Sequence, residues 1–73
     1  MTFTEFLEFH RNAGLEELVL NQFTLDLGFG LTVEQARELA GGGEVFESVF
    51  RHRRVWPSTN PGDVVRFLRV RLV

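Results

Sequence analysis

Every positively charged side chain in this 73-residue sequence is an arginine, and six of the eight fall between residues 50 and 73: Arg51, Arg53, Arg54, Arg66, Arg69 and Arg71. A guanidinium is a planar donor fork. It meets carboxylates and phosphates through paired hydrogen bonds and stacks on aromatic rings. The chemistry on offer is recognition of anions and aromatics. The acids lie elsewhere: residues 1–49 carry nine against Arg11 and Arg37, a net of −7, whereas residues 50–73 carry six arginines against Asp63, a net of +5. The overall charge of −2 therefore conceals a bipolar molecule.

Bond-making chemistry has little to work with. The sequence contains no cysteine, lysine or tyrosine; its histidines are His10 and His52 and its aspartates Asp26 and Asp63. His10 falls on the apolar face of a predicted helix and reads as a core-edge residue. His52 sits among arginines, whose charge disfavours its protonation. A Ser48–His52 pair lacks the third group that would orient the base. No spacing of histidines and carboxylates suggests a metal site. Gly28-Phe29-Gly30 supplies two glycines of a dinucleotide loop, but Val33 stands where the third belongs, and the long parallel sheet behind such a loop does not fit in this chain. Gly41-Gly42-Gly43 follows a helix end, the wrong end for holding phosphate. The expectation is a non-enzyme with no cofactor and no metal.

The arginines need a scaffold to position them. One domain, 1–73, is expected from the length. A chain this short buries only about 60% of its unfolded surface, and without cysteine it has no disulfides to help. Eight phenylalanines and one tryptophan compensate, since each aromatic buries roughly 150–250 Å². No apolar run approaches the ~18 residues of a membrane span. The opening MTFTEF lacks the basic and apolar blocks of a signal peptide, so a cytoplasmic location is expected.

Thr2 and Glu5 form a capping box, and Phe3, Phe6, Leu7 and His10 follow at helical spacing. This predicts a helix over about 3–13, ended by Gly14. Residues 15–20 are ambiguous. Phe23, Leu25, Leu27 and Phe29 then alternate with Thr24, Asp26 and Gly28, which reads as a half-buried strand. Thr32 and Gln35 make a second capping box ahead of Val33, Ala36, Leu39 and Ala40, a short helix stopped by three glycines. Residues 44–56 fit either helix or strand, with β-branched and aromatic content favouring strand. Residues 57–63 are a loop, and 64–73 read as strand. The predicted fold is α+β in the order α-β-α-β-β, a C-terminal antiparallel hairpin packed with two short helices.

On that hairpin, strand parity sorts the side chains. An even-numbered face of Phe46, Phe50, Trp56, Val64, Leu68, Val70 and Leu72 would form core. The odd face would gather Arg51, Arg53, Arg69 and Arg71 around Phe67, with Arg54 and Arg66 set apart near the loop. A symmetric register places Arg51 almost opposite Arg69, and like charges so placed repel. Such a cluster calls for an anion: Glu47 or the helix bearing Glu5 and Glu8, an acidic protein surface, or nucleic-acid phosphate. Phe67 or Trp56 would stack a base in the last case. If 45–56 is instead a helix, residues 32–50 read as a helix-turn-helix with a wing from 64–73. Gln35 at an apolar position, three glycines in a turn that should be tight, and Glu44 and Glu47 facing phosphate all count against that alternative.

In size and style the whole chain resembles the small phage-encoded host-takeover proteins, which include inhibitors of bacterial RNA polymerase and anti-CRISPR proteins. It is tiny, cysteine-free, rich in Phe and Arg, bipolar in charge and without catalytic signature. The resemblance implies a protein partner, RNA polymerase or another nucleic-acid-bound host complex, and assigns no site residue. The sequence therefore leads to a monomeric, non-enzymatic regulator that binds a larger machine, the transcription apparatus first. Its expected partner-binding residues are Arg51, Arg53, Arg69, Arg71, Phe67 and Trp56. Direct nucleic-acid binding is the alternative, and no membrane is involved.

Overall fold

A computed structural model describes residues 1–50 and 63–73. The expected loop at 57–63 and the side chains of Arg51, His52, Arg53, Arg54 and Trp56 therefore lie outside the described residues, apart from Asp63, which opens the last strand. The chain begins with the predicted capping box. Thr2 Oγ1 accepts from the Glu5 N–H at 3.1 Å and Glu5 Oε1 accepts from the Thr2 N–H at 2.9 Å, which starts α1 (Phe3–Asn12). Phe3 and Leu7 turn into the core. His10 sits at its edge, half-buried, with Nδ1 donating to the Phe6 carbonyl at 2.8 Å.

The ambiguous stretch after Gly14 becomes β1 (Glu17–Asn21). The next element departs from the sequence expectation: residues 22–29 are not a strand but a helix, α2 (Gln22–Phe29). Asn21 ends the strand and caps the helix, its side-chain oxygen accepting from the Thr24 N–H at 2.7 Å. Gly30, in the left-handed region at φ 65°, closes it, helped by the Leu31 N–H bonding back to the Leu25 carbonyl at 3.2 Å. The alternation that suggested a strand contains two i, i+4 ladders. On a helix Leu25 and Phe29 go inward, and Phe23 and Leu27 go outward, 66% and 70% exposed.

The second capping box holds. Thr32 and Gln35 start α3 (Val33–Leu39), with Val33 and Ala36 buried. The glycine turn then delivers β2 (Glu44–Phe50), which pairs antiparallel with β3 (Asp63–Arg71). Gly43 is required where it stands: its φ is 152°, and a Cβ there would lie 2.7 Å from the Arg69 carbonyl oxygen. The fold is α+β, as expected, but the observed order is α-β-α-α-β-β. The antiparallel sheet runs β1-β3-β2, so β3 is the central strand.

Helices α2 and α3 pack on one face of the sheet. The core lies between the layers and comprises Phe3, Leu7, Leu20, Leu25, Val33, Ala36, Leu68, Val70 and Leu72. Leu68, Val70 and Leu72 were expected there. Phe46 was too, and the register moves it: Phe46 is opposite Phe67, and Val45, not Phe46, is opposite Leu68. Paired residues of antiparallel strands share a face. Even residues of β2 therefore join odd residues of β3 on the side away from the helices. Val64 lies near the strand's far end and is 48% exposed. Among the described residues no helix is long and apolar enough to cross a membrane.

Candidate interaction face

The sheet face opposite the helices is set by register. Central β3 contributes Val65, Phe67, Arg69 and Arg71; β2 contributes Glu44, Phe46 and Ser48; β1 contributes Glu17, Val19 and Asn21. Among the described residues no helix covers it. Phe46 and Phe67 stack across the strands with ring centroids 5.3 Å apart and planes 14° from parallel. Both are only partly buried. The Arg69 guanidinium lies over Phe46, its Cζ 5.2 Å from the ring centroid, an arrangement in which the ring's negative face attracts the cation.

Arg69 is held from both sides. Its cross-strand neighbours are Val19 and Glu44, not Arg51 as the symmetric register required. Arg69 Nη1 is 3.1 Å from Glu44 Oε2, and Nε is 3.3 Å from Glu17 Oε1. The like-charge repulsion expected of an Arg51–Arg69 pair is replaced by attraction to two carboxylates. Intramolecular anions were anticipated, but different ones: Glu47 lies near Arg66 at 3.7 Å, and Glu8 pairs with Arg11 on α1. Arg66 also pairs with Glu34 of α3, tying a helix to the sheet. The hydrogen bond from Arg66 holds the Glu34 carboxyl below the usual carboxylate range, and Glu34 in turn raises Arg66.

Arg71 is different. It is exposed and stands opposite Glu17. The Glu17 carboxylate is engaged by Arg69 instead, and among the described residues Arg71 makes no ion pair. It lines a shallow depression with Glu16, Glu17 and Val73 at the end of the sheet. Of the side chains expected on one face, Phe67, Arg69 and Arg71 are together on it; Arg51, Arg53 and Trp56 lie outside the described residues. The sequence reading missed Phe46, Glu17 and Glu44. Glu17 had no assigned strand, and the other two needed the register, which parity within one strand does not supply.

The helix-turn-helix alternative is overturned. It needs a second helix after the glycine turn, and residues Glu44–Phe50 are instead a sheet strand paired to β3. Among the described residues no group of three histidine, cysteine, aspartate or glutamate side chains converges as a metal site. No family model matches the chain, and neither a curated protein nor a solved structure is significantly similar to it.

Proposed function

We propose that this chain is a small, non-enzymatic regulatory protein of the cytoplasm that docks on a larger macromolecular machine through the outer face of its sheet. The observation that carries the reading is the Phe46–Phe67 stack, partly open to solvent, with Arg69 over one ring and Arg71 beside it. Aromatics and arginines on a rigid surface are the anchors that dominate binding energy at protein interfaces. Because β3 is paired on both sides, its side chains are presented pre-ordered, which lowers the cost of association. Arg69 already has two carboxylates, so its role is to hold the ring platform. Arg71 is the arginine here that offers its fork to a partner's carboxylate. The compositional resemblance to phage host-takeover proteins makes RNA polymerase the first machine to test.

The local charge favours a protein partner. Glu17 and Glu44 both contact Arg69 and balance Arg69 and Arg71, whereas a phosphate-tracking groove is strongly positive. A parallel aromatic pair also resembles the platforms on which unpaired bases stack, which keeps single-stranded nucleic acid as the second reading.

Affinity capture from a host lysate, with and without nuclease, separates the two. Docking on a protein machine predicts a defined complex retained after nuclease and lost with the Arg71→Glu, Phe67→Ala double variant. Capture that vanishes on nuclease treatment supports the second reading. Capture equal for both proteins would show that the sheet face is not the docking surface.

A further inference from the structure

β1 pairs with β3 on one side, and among the described residues its other side is a sheet edge. One hydrogen bond fixes which backbone groups that edge presents. The Leu72 N–H donates to the Glu16 carbonyl, opposite it in the β1–β3 register, at 2.8 Å. Hydrogen-bonded and non-hydrogen-bonded pairs alternate along an antiparallel ladder. Glu16, Leu18 and Leu20 therefore turn their backbone groups to β3, and Glu17, Val19 and Asn21 turn theirs to the open edge. The Arg69 carbonyl agrees. It points to Gly43 on the β2 side, away from Val19, its neighbour in β1. Among the described residues no group bonds the outward N–H or C=O of Glu17 or Val19.

Proteins blunt such edges with charge, proline or a bulge. The centre of β1, Leu18-Val19-Leu20, has neither charge nor proline, its register is unbroken, and Val19 is 47% exposed. β2, the opposite edge, is protected against itself. Its whole length, Glu44–Phe50, self-pairs only about Glu47, which sets carboxylate against carboxylate. β1 is instead self-complementary. Antiparallel pairing of Glu17–Asn21 with a second copy, about a two-fold axis at Val19, sets Val19 against Val19, Leu18 against Leu20 and Glu17 against Asn21. The two Glu17 residues end more than about 13 Å apart. Val19 exchanges both backbone bonds with its mate, and each Asn21 N–H meets the Glu17 carbonyl of the other copy. A one-residue slide sets inward leucines against outward residues, and a two-residue slide leaves one end of each strand unpaired. Leu15 and Phe23, 42% and 66% exposed, lie two residues before and after the strand, so this register brings the end bearing one toward the end bearing the other.

We infer that the protein forms a two-fold dimer by pairing β1 with β1 of a second copy, which joins two three-stranded sheets into one of six strands. The contact is isologous and closes on itself. It takes the place of the monomer expected from the sequence. The outer faces of the two sheets become one continuous surface, and the dimer stands whether or not that surface docks on a machine.

The test uses the full chain alone. A five-residue edge is short against the ~1,600 Å² of a standard interface, so association is expected at high micromolar concentration. Sedimentation from ~10 μM to ~1 mM is expected to pass from monomer to dimer and no further. Over the same range, hydrogen exchange by NMR is expected to slow several-fold at the amides of Glu17, Val19 and Asn21, while Leu18 and Leu20 are protected throughout. Val19→Lys sets lysine against lysine and is expected to weaken association about tenfold or more. Val19→Pro removes an outward N–H and no bond to β3, and is expected to abolish association. Leu27→Glu, on the exposed side of α2, is expected to leave it unchanged. Far-UV circular dichroism confirms each fold; should the proline variant unfold, Val19→Lys, at an exposed position, carries the test. A monomer at ~1 mM, a dimer whose Val19 amide exchanges as in the monomer, or association untouched by Val19→Lys overturns the inference. So do oligomers that grow beyond the dimer, the mark of β1 meeting β2 of the next copy.

Discussion

Replacing Arg69 separates the structural arginine of the sheet face from the recognition arginine beside it. Arg69 makes two ion pairs, to Glu44 at 3.1 Å and to Glu17 at 3.3 Å, and lies over Phe46. Its side chain is 45% exposed, so each pair falls in the solvent-screened range of about 0.2–1 kcal/mol. The cation–ring contact adds about 0.5–1 kcal/mol at an exposed site. Arg69→Ala removes all three and leaves Glu17 and Glu44 without their shared cation. The expected loss is about 1–3 kcal/mol, and a domain of this size shifts its melting temperature by about 4–8 °C per kcal/mol. Arg69→Lys keeps the charge but loses the planar fork, and recovers about half. Arg71→Ala, at an exposed position, changes stability by less than about 0.5 kcal/mol. Urea denaturation of the four proteins reads these differences. Repeating it near 1 M salt, where the Debye length is about 3 Å, shrinks the Arg69→Ala deficit toward the cation–ring contribution. Equal deficits for Arg69→Ala and Arg71→Ala, or an Arg69→Ala deficit untouched by salt, would refute the two-carboxylate clamp.

Gly43→Ala is expected to cost about 1–3 kcal/mol, because it forces an alanine into a positive-φ conformation that side-chain-bearing residues rarely adopt, against the Arg69 carbonyl oxygen; stability within about 0.5 kcal/mol of the parent in urea would contradict the close approach. Gly28→Ala goes the other way, raising stability by about 0.5–1 kcal/mol, since the added methyl meets open space on a helix; a lower melting temperature would show that the position is crowded. Stability also falls in acid. Hydrogen bonds to Thr2 and Arg66 hold the Glu5 and Glu34 carboxyls below their usual values, so the stabilisation they give is complete above the unfolded value of about 4.3 and is lost as pH falls through the lower folded values. The urea midpoint measured from neutral pH downward should drop below that point and drop less in Glu34→Gln; a midpoint independent of pH would show that these bonds do not form.

The helix starts were legible because capping is local. Thr2 with Glu5, and Thr32 with Gln35, announce α1 and α3 within four residues each. The inward residues Leu68 and Val70 of β3, and Leu72 just past its end, followed from strand parity. Residues 22–29 misled because every second residue is apolar, which satisfies both a strand and two helical ladders. The choice falls to Asn21 and Gly30, whose capping is visible only once β1 is seen to end at Asn21. The candidate site was half legible. Phe67, Arg69 and Arg71 are consecutive odd positions and had to share a face. Their partners Glu17, Glu44 and Phe46 come from two other strands, and only the register identifies them. A symmetric loop placed arginine opposite arginine. The actual register brings Glu44 to Arg69, because Gly43 lets the chain lie against the Arg69 backbone.

Docking through the outer sheet face is tested most directly by hydroxyl-radical footprinting of the nuclease-treated captured complex, compared with the free protein, because phenylalanine oxidation reports the exposure of each ring by mass. If a partner covers this face, oxidation of Phe46 and Phe67 falls several-fold on capture. Oxidation of both rings at the rate of the free protein, in a complex that is fully bound, would contradict it.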